Sequence, residues 1–228
     1  MRKLLYVPII HSSADLGTIA AETEKKGIAI CGKERWEAHK QTISSFWDAL
    51  FMFFDNLKPR GYKVYQDGLA ADGEMGMKIV EDGVKRGSKN YEIVSRLIEK
   101  GATLAKTEDI DIVMKEYKLI KELAKAKTFI GKTVAYFKYV CRKNKILEER
   151  DNYIAKRIGE TLKEEETGIL FIGAHHNVVA KLSRDIMISE LKDRDKVLKY
   201  MKSYYFRSKR GEVDKLADYL KEPIRKYG

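Results

Sequence analysis

Cysteine is almost missing from this sequence: Cys31 and Cys141 are the only two, far apart and outside any CxxC pair. A zinc ribbon and a disulfide framework are therefore removed from consideration, and a reducing cytoplasm is the compartment that fits. Only three prolines occur, which with a charged fraction of 35% argues against a linker-rich array or a disordered chain. Long apolar runs are lacking too. The densest, Ala49 to Phe54, falls far short of the roughly 18 to 20 residues a membrane span needs, so no membrane is expected among the partners. Leu4 to Ile10 is too short for an export signal, and His11 ends it. No G-x-S-x-G elbow, Walker loop, G-x-G-x-x-G turn or H-E-x-x-H helix is present, which weighs against several large enzyme classes. Internal repeats and low-complexity tracts are absent as well.

Apolar residues make up 44% of the 228, enough for a substantial core, and residues 1–228 read as a single α/β domain. The net charge is +11, but Lys and Arg are spread among nearly as many carboxylates. Runs such as Lys115 to Lys127 and Lys192 to Lys202 alternate in sign at helical spacing, as solvated helix faces do. This reads against a nucleic-acid partner.

Leu4 to Ile10 reads as a first strand without alternation, as strands covered on both faces do, and Pro8 puts it near a sheet edge or a strand end. Trp36, Ile43, Trp47, Leu50 and Phe54 recur at helical spacing until Pro59 and Gly61 stop a long helix from about Lys33 to Asn56. Strands are expected at Tyr62–Tyr65, Ala102–Ala105 and Gly168–Gly173, the last wholly apolar and inside the sheet, with a short strand or turn near Asp185–Ser189. Helices are expected over 76–84, 88–100, 109–127, 128–143, 145–163, 193–205 and 212–220. Strands separated by helices imply right-handed crossovers. The expected fold class is α/β, a mainly parallel sheet covered by helices, with a helical elaboration.

In such a sheet ligands bind beyond the carboxyl ends of the strands. Those ends deliver His11 after the first strand, Asp67 after the second, Glu108 and Asp109 after the third, and His175 and His176 after the fourth. Imidazoles and carboxylates together bind a divalent metal or divide general acid and base roles. The plain alternative is that Asp15 and Asp109 are turn formers or helix caps, and that a histidine here bonds a neighbouring carbonyl. His39, on the stripe with Trp36 and Ile43, reads as a packing residue. Arg150 stands four residues before Ile154 and eight before Ile158, so it turns toward the apolar face of its helix, where none of its helical neighbours is acidic. Its partner is either a pocket carboxylate such as Glu108, an anionic ligand, or a carboxylate from another element.

The segment Glu149-Arg150-Asp151, with Ala155, Ile158 and Leu162 and then Ile169 to His176, resembles the C-terminal signature of the TraB and Tiki group. That group sits in a wider superfamily with ChaN-like haem-binding lipoproteins and erythromycin esterases. There an E-R pair on a helix precedes a strand ending in G-x-x-H, here Gly173 to His176, and the match covers about thirty residues. Glu108 looks like the group's acidic residue after a central strand, and His11 takes the place of the histidine in its first G-x-x-H, although Pro8 stands where that motif has glycine. Tyr65 to Leu69, Gly101-Ala102 and Thr107 to Asp109 also resemble motifs of an uncharacterised prokaryotic family. The resemblance implies a His, Glu and Arg pocket, used in Tiki-type members for metal-dependent peptide hydrolysis and in erythromycin esterases for lactone hydrolysis.

Three functions are left open. The first is a hydrolase-like enzyme acting on a small molecule or peptide, with His11, Glu108 and His176 as acid/base groups or as ligands of a divalent metal, and Arg150, Asp67 and His175 binding substrate. The second is a non-catalytic binder of an anionic metabolite in the same pocket. The third is a self-assembling protein: Phe46-Trp47 and Leu50 to Phe54 spread apolar surface beyond one helical face, so part of it either meets a second copy or is buried within the chain.

Overall fold

A computed structural model of the chain describes the backbone of residues 1–15, 17, 20–125, 129–205 and 210–224, and the side chains of these except 124, 125, 129–137, 204, 205 and 210. Five strands, β1 (Arg2–Ile9), β2 (Lys63–Gln66), β3 (Thr103–Ala105), β4 (Thr167–Gly173) and β5 (Ile186–Glu190), form one sheet in the order β3-β2-β4-β1-β5. Every pairing in it is parallel. The helices are α1 (Ala20–Cys31), α2 (Lys33–Asp55), α3 (Gly73–Lys85), α4 (Lys89–Glu99), α5 (Ile110–Lys125), α6 (Phe129–Thr161), α7 (Arg194–Tyr205) and α8 (Arg210–Lys221), with a short 3₁₀ turn at Val178–Lys181. Among the described residues, no helix is long and apolar enough to cross a membrane.

The absence of alternation in the central strands has the expected cause. Leu5, Val7 and Ile9 of β1, with Ile169 and Phe171 of β4, pack into a cluster with α2, α4, α7 and α8. Leu4 and Tyr6, with Leu170 and Ile172, face the opposite cluster with Ile154 and Ile158 of α6 and Leu162 just past its end. Both faces of the sheet are covered, so both sets of side chains must be apolar.

Pro8 does not make β1 an edge strand, since β1 lies between β4 and β5. It does lie near a strand end. Pairing with β5 stops at Tyr6, whose carbonyl accepts from Leu191 N at 3.0 Å. Pro8 therefore offers its missing N–H to the side where β5 has already ended.

The apolar surface of α2 is divided, with Phe51 and Phe53 only partly buried against the core and Met52 65% exposed. Phe46, Trp47, Leu50 and Phe54 are all buried in the first cluster. The stretch expected as two helices on either side of residue 144 is one continuous α6, and Ala20–Cys31, where no element was expected, is helical.

Candidate functional site

Four strand ends converge on Asp67. The first residue past β2, it puts its N–H on the Phe171 carbonyl of β4 at 2.8 Å, and its Oδ2 accepts from Gly173 N at 3.0 Å. Gly68 follows with φ of 78°, a left-handed turn that frees the chain to leave the sheet there. The same Asp67 Oδ2 lies 3.8 Å from His11 Nε2 and 3.9 Å from His176 Nε2. A Cβ on Gly173 would sit 3.1 Å from Asp67 Oδ2, 3.6 Å from His176 Cδ2 and 3.9 Å from His11 Nε2. Glycine thus leaves the space in which one carboxylate and two imidazoles gather.

Arg150 enters from α6, as its phase on that helix requires. Its Nη2 donates to Asp67 Oδ1 at 2.7 Å and to Glu108 Oε1 at 2.6 Å, Nε to Glu108 Oε2 at 3.2 Å, and Nη1 to Glu116 Oε2 of α5 at 2.8 Å. Three carboxylates therefore surround one guanidinium, and the pair with Glu108 is bidentate. Of the partners expected for Arg150, a carboxylate of the chain such as Glu108 is the one its donors face. Asp109, by contrast, caps α5 as expected, its Oδ1 accepting from Asp111 N at 2.9 Å and Ile112 N at 3.2 Å.

His176 is buried at 4% exposure and donates from Nδ1 to Asp151 Oδ1 at 2.6 Å, while Asp151 Oδ2 accepts from Asn177 N at 2.8 Å. Arg194 Nε holds the His176 carbonyl at 2.8 Å. Asp151 was not singled out from sequence. It follows Arg150 by one residue, so the two diverge around α6, one toward Glu108 and the other toward His176. Glu116 was missed for a similar reason, since only the packing of α5 on α6 brings it to Arg150. The available signal was its position on the helix that begins just after Glu108.

The electrostatics follow from burial and neighbours. Burial alone would raise the Asp67 pKa, but His176, Arg150, His11 and the Gly173 N–H together hold it well below the usual carboxylate range. Burial pushes Glu108 above that range, with Arg150 opposing. His176 is raised: burial lowers it, but the Asp151 hydrogen bond and the Asp67 charge outweigh that. Arg150 is likewise raised by Asp67, Glu108 and Glu116 against its burial.

Beside His11 lies a cleft of about 410 Å³, walled by Ile10, Ser12, Ser13, Trp36, Ile43 and Trp47 among others. Trp47 also donates from Nε1 to the Ile10 carbonyl at 3.1 Å, fixing the chain one residue before His11. His11 is a wall of this cleft; the buried Glu108 and His176 and the half-buried Arg150 are not among its walls. His11 and His176 lie 3.8 and 3.9 Å from Asp67, Arg150 bonds it directly, and Glu108 joins the group through Arg150. His175 is exposed and its pKa is lowered by partial covering and by Lys202 and His176. No hydrogen bond or ion pair joins it to the Asp67 group among the described residues.

The expected metal ligands His11, Glu108 and His176 do not form a donor set. Both Glu108 oxygens are taken by Arg150 and His176 Nδ1 by Asp151. No group of three or more His, Cys, Asp or Glu among the described residues is arranged to hold a metal ion. His39, read as a packing residue, holds Tyr200 Oη with Nδ1 at 2.9 Å, and burial lowers its pKa to about 4.

Fold and site together define an α/β protein with an all-parallel sheet and a buried carboxylate, guanidinium and imidazole cluster at the carboxyl edge. No family model, curated protein or solved structure matches the chain. The likeness to the TraB and Tiki group thus rests on the quoted residues alone.

Proposed function

We propose that the chain is a hydrolase-like enzyme working by general acid–base catalysis, with His11 as the group that meets substrate and Asp67 as the residue that positions it. One observation carries this reading: His11 both lines the cleft and lies with Nε2 3.8 Å from Asp67 Oδ2. Imidazole is the side chain suited to moving protons near neutrality, and an adjacent carboxylate orients it and stabilises the imidazolium. The distance is longer than a hydrogen bond, as such contacts often are before substrate closes them.

In this scheme His11 takes a proton from an attacking water and returns it to the leaving group as the scissile bond breaks, so the imidazole ends as it began. Asp67 stays ionised, because His176, Arg150 and His11 all depress its pKa. His176 and Arg150 act through Asp67 as positioning residues. The cleft walls are chiefly apolar, and two of its lysines are already paired, Lys40 with Glu24 and Glu37 and Lys89 with Asp48. A small substrate with an apolar or aromatic portion and no net negative charge suits this lining. An anionic metabolite would find Arg150 occupied, so the binding-protein reading loses the cation on which it depended.

The test is turnover of a panel of neutral esters, lactones and amides with apolar acyl groups, followed by mass spectrometry. Conversion that is lost in His11→Ala and Asp67→Asn supports the proposal. Recovery of every compound intact from the wild-type protein, or equal conversion by His11→Ala, overturns it.

A further inference from the structure

Away from the cleft, α5 and the first half of α6 form an arm with an unusual surface. Between Lys115 and Lys145 the sequence places ten Lys or Arg against two Glu, a net +8 out of the chain's +11. The arm is sparsely covered. Leu119 is the one buried residue among the described side chains of α5, and Val140 to Lys145 are six consecutive exposed residues, so that among the described residues no element covers α6 there. Ile110, Met114 and Tyr117, at i, i+4 and i+7, make an apolar stripe on α5 that is 51%, 40% and 51% exposed. Lysines border the apolar surface: Lys121 Nζ lies 5.5 Å from the Tyr117 ring and Lys143 Nζ 5.9 Å from the Tyr139 ring.

We propose that this arm docks on the surface of an anionic lipid bilayer. A helix that exposes Ile, Met and Tyr beside lysines gains twice at such a surface, from apolar burial at the headgroup boundary and from attraction to anionic headgroups. The expectation of no membrane partner rested on the lack of spanning runs, and surface docking needs none. A nucleic acid fits the charge but not the stripe, since a phosphate backbone offers Ile110, Met114 and Tyr117 nothing to bury against. Arg142 is also the single arginine among the ten basic residues, where phosphate recognition favours the arginine fork. Pairing with a second copy would bury the stripe but bring two arms together that each carry net +7 from Ile110 to Lys145, which repulsion opposes.

The test is co-sedimentation of the full chain with vesicles of phosphatidylcholine alone and with about one quarter phosphatidylglycerol. Binding is expected to the anionic vesicles only, and to weaken as salt rises. A charge-reversed variant, Lys118→Glu with Lys121→Glu, Arg142→Glu and Lys143→Glu, should bind at least about tenfold more weakly, these positions being exposed. Met114→Ser with Tyr117→Ser should weaken binding even at low salt. Circular dichroism checks folding, and if the reversed variant unfolds, the salt response and the serine variant decide. Equal binding to neutral vesicles, no effect of either variant, or tighter binding to duplex DNA than to anionic vesicles at physiological salt would overturn the proposal. So would a concentration-dependent dimer that loses its association in the serine variant while vesicles are ignored.

Discussion

Arg150 grips both oxygens of Glu108, at 2.6 and 3.2 Å, across 42 residues of sequence, and the Glu108 carboxylate has no exposure of its own. The pair is the floor on which Asp67 rests, because the same Nη2 donates to Asp67. Removing the guanidinium strands Glu108 and Asp67 in a low-dielectric interior and leaves the partly exposed Glu116 without this partner. Arg150→Met should cost about 3 to 5 kcal/mol in urea unfolding, the range for breaking a buried ion pair from one side. Glu108→Gln, which keeps the shape and leaves Asp67 and Glu116 with the guanidinium, should cost less. A loss under about 1 kcal/mol for Arg150→Met would mean the cluster does not hold the fold as described.

The His176 pKa is raised in the folded protein above the ordinary 6.5, so folding binds its proton more tightly than the unfolded chain does. That stabilisation is complete below 6.5 and disappears as pH rises through the folded value. Glu108, also raised, contributes with the same sign from its ordinary 4.5 upward. Stability to urea should therefore fall as pH rises above 6.5 on account of His176 and above 4.5 on account of Glu108; His176→Gln should flatten the first fall and Glu108→Gln the second. Asp67 works oppositely: its depressed pKa stabilises above 3.8 and the benefit is lost as pH drops. An alkaline slope unchanged in His176→Gln would contradict the assignment.

Much of this arrangement was legible. The β1, β2, β3 and β4 runs, the parallel sheet, and His11, Asp67, Glu108 and His176 at strand ends all follow from apolar runs and from where polar residues interrupt them. Arg150 was readable as inward because its neighbours on α6 are apolar. The readout failed where a partner is set by packing: Glu116 needs α5 laid on α6, and Asp151 finds His176 only once β4 has placed it. Helix α1 was invisible because Glu22, Lys25 and Lys26 crowd it and Gly27 is its one buried residue. The charge of the arm was hidden by averaging Lys and Arg over the whole chain.

Gly173 is the residue whose replacement should separate stability from function. A Cβ placed 3.1 Å from Asp67 Oδ2 needs that carboxylate to move by a few tenths of an ångström, and Arg150 and the Gly173 N–H hold it where it is. Gly173→Ala should lower turnover of any substrate the wild type converts by about 10- to 100-fold, since small displacements of positioned groups cost that much. Its unfolding free energy should drop by no more than about 1 to 3 kcal/mol, the range for overpacking. Equal turnover in Gly173→Ala would separate Asp67 from the chemistry.

Trp47 joins the core to the cleft. It is 1% exposed, packs edge to face on Phe46 at 5.4 Å, and donates to the Ile10 carbonyl, the residue before His11. Trp47→Phe keeps an aromatic ring but removes that donor and part of the buried area. The Ile10 carbonyl then lacks its indole partner, and the resulting loss should be about 1 to 3 kcal/mol. Because that bond fixes the backbone at His11, the same variant should also reduce turnover, whereas Phe54→Leu, in the same cluster but outside the cleft walls, should lower stability alone. Urea unfolding and initial rates on both variants compare the two effects directly. If Trp47→Phe loses stability but turns over substrate as the wild type does, the cleft wall has no part in holding His11.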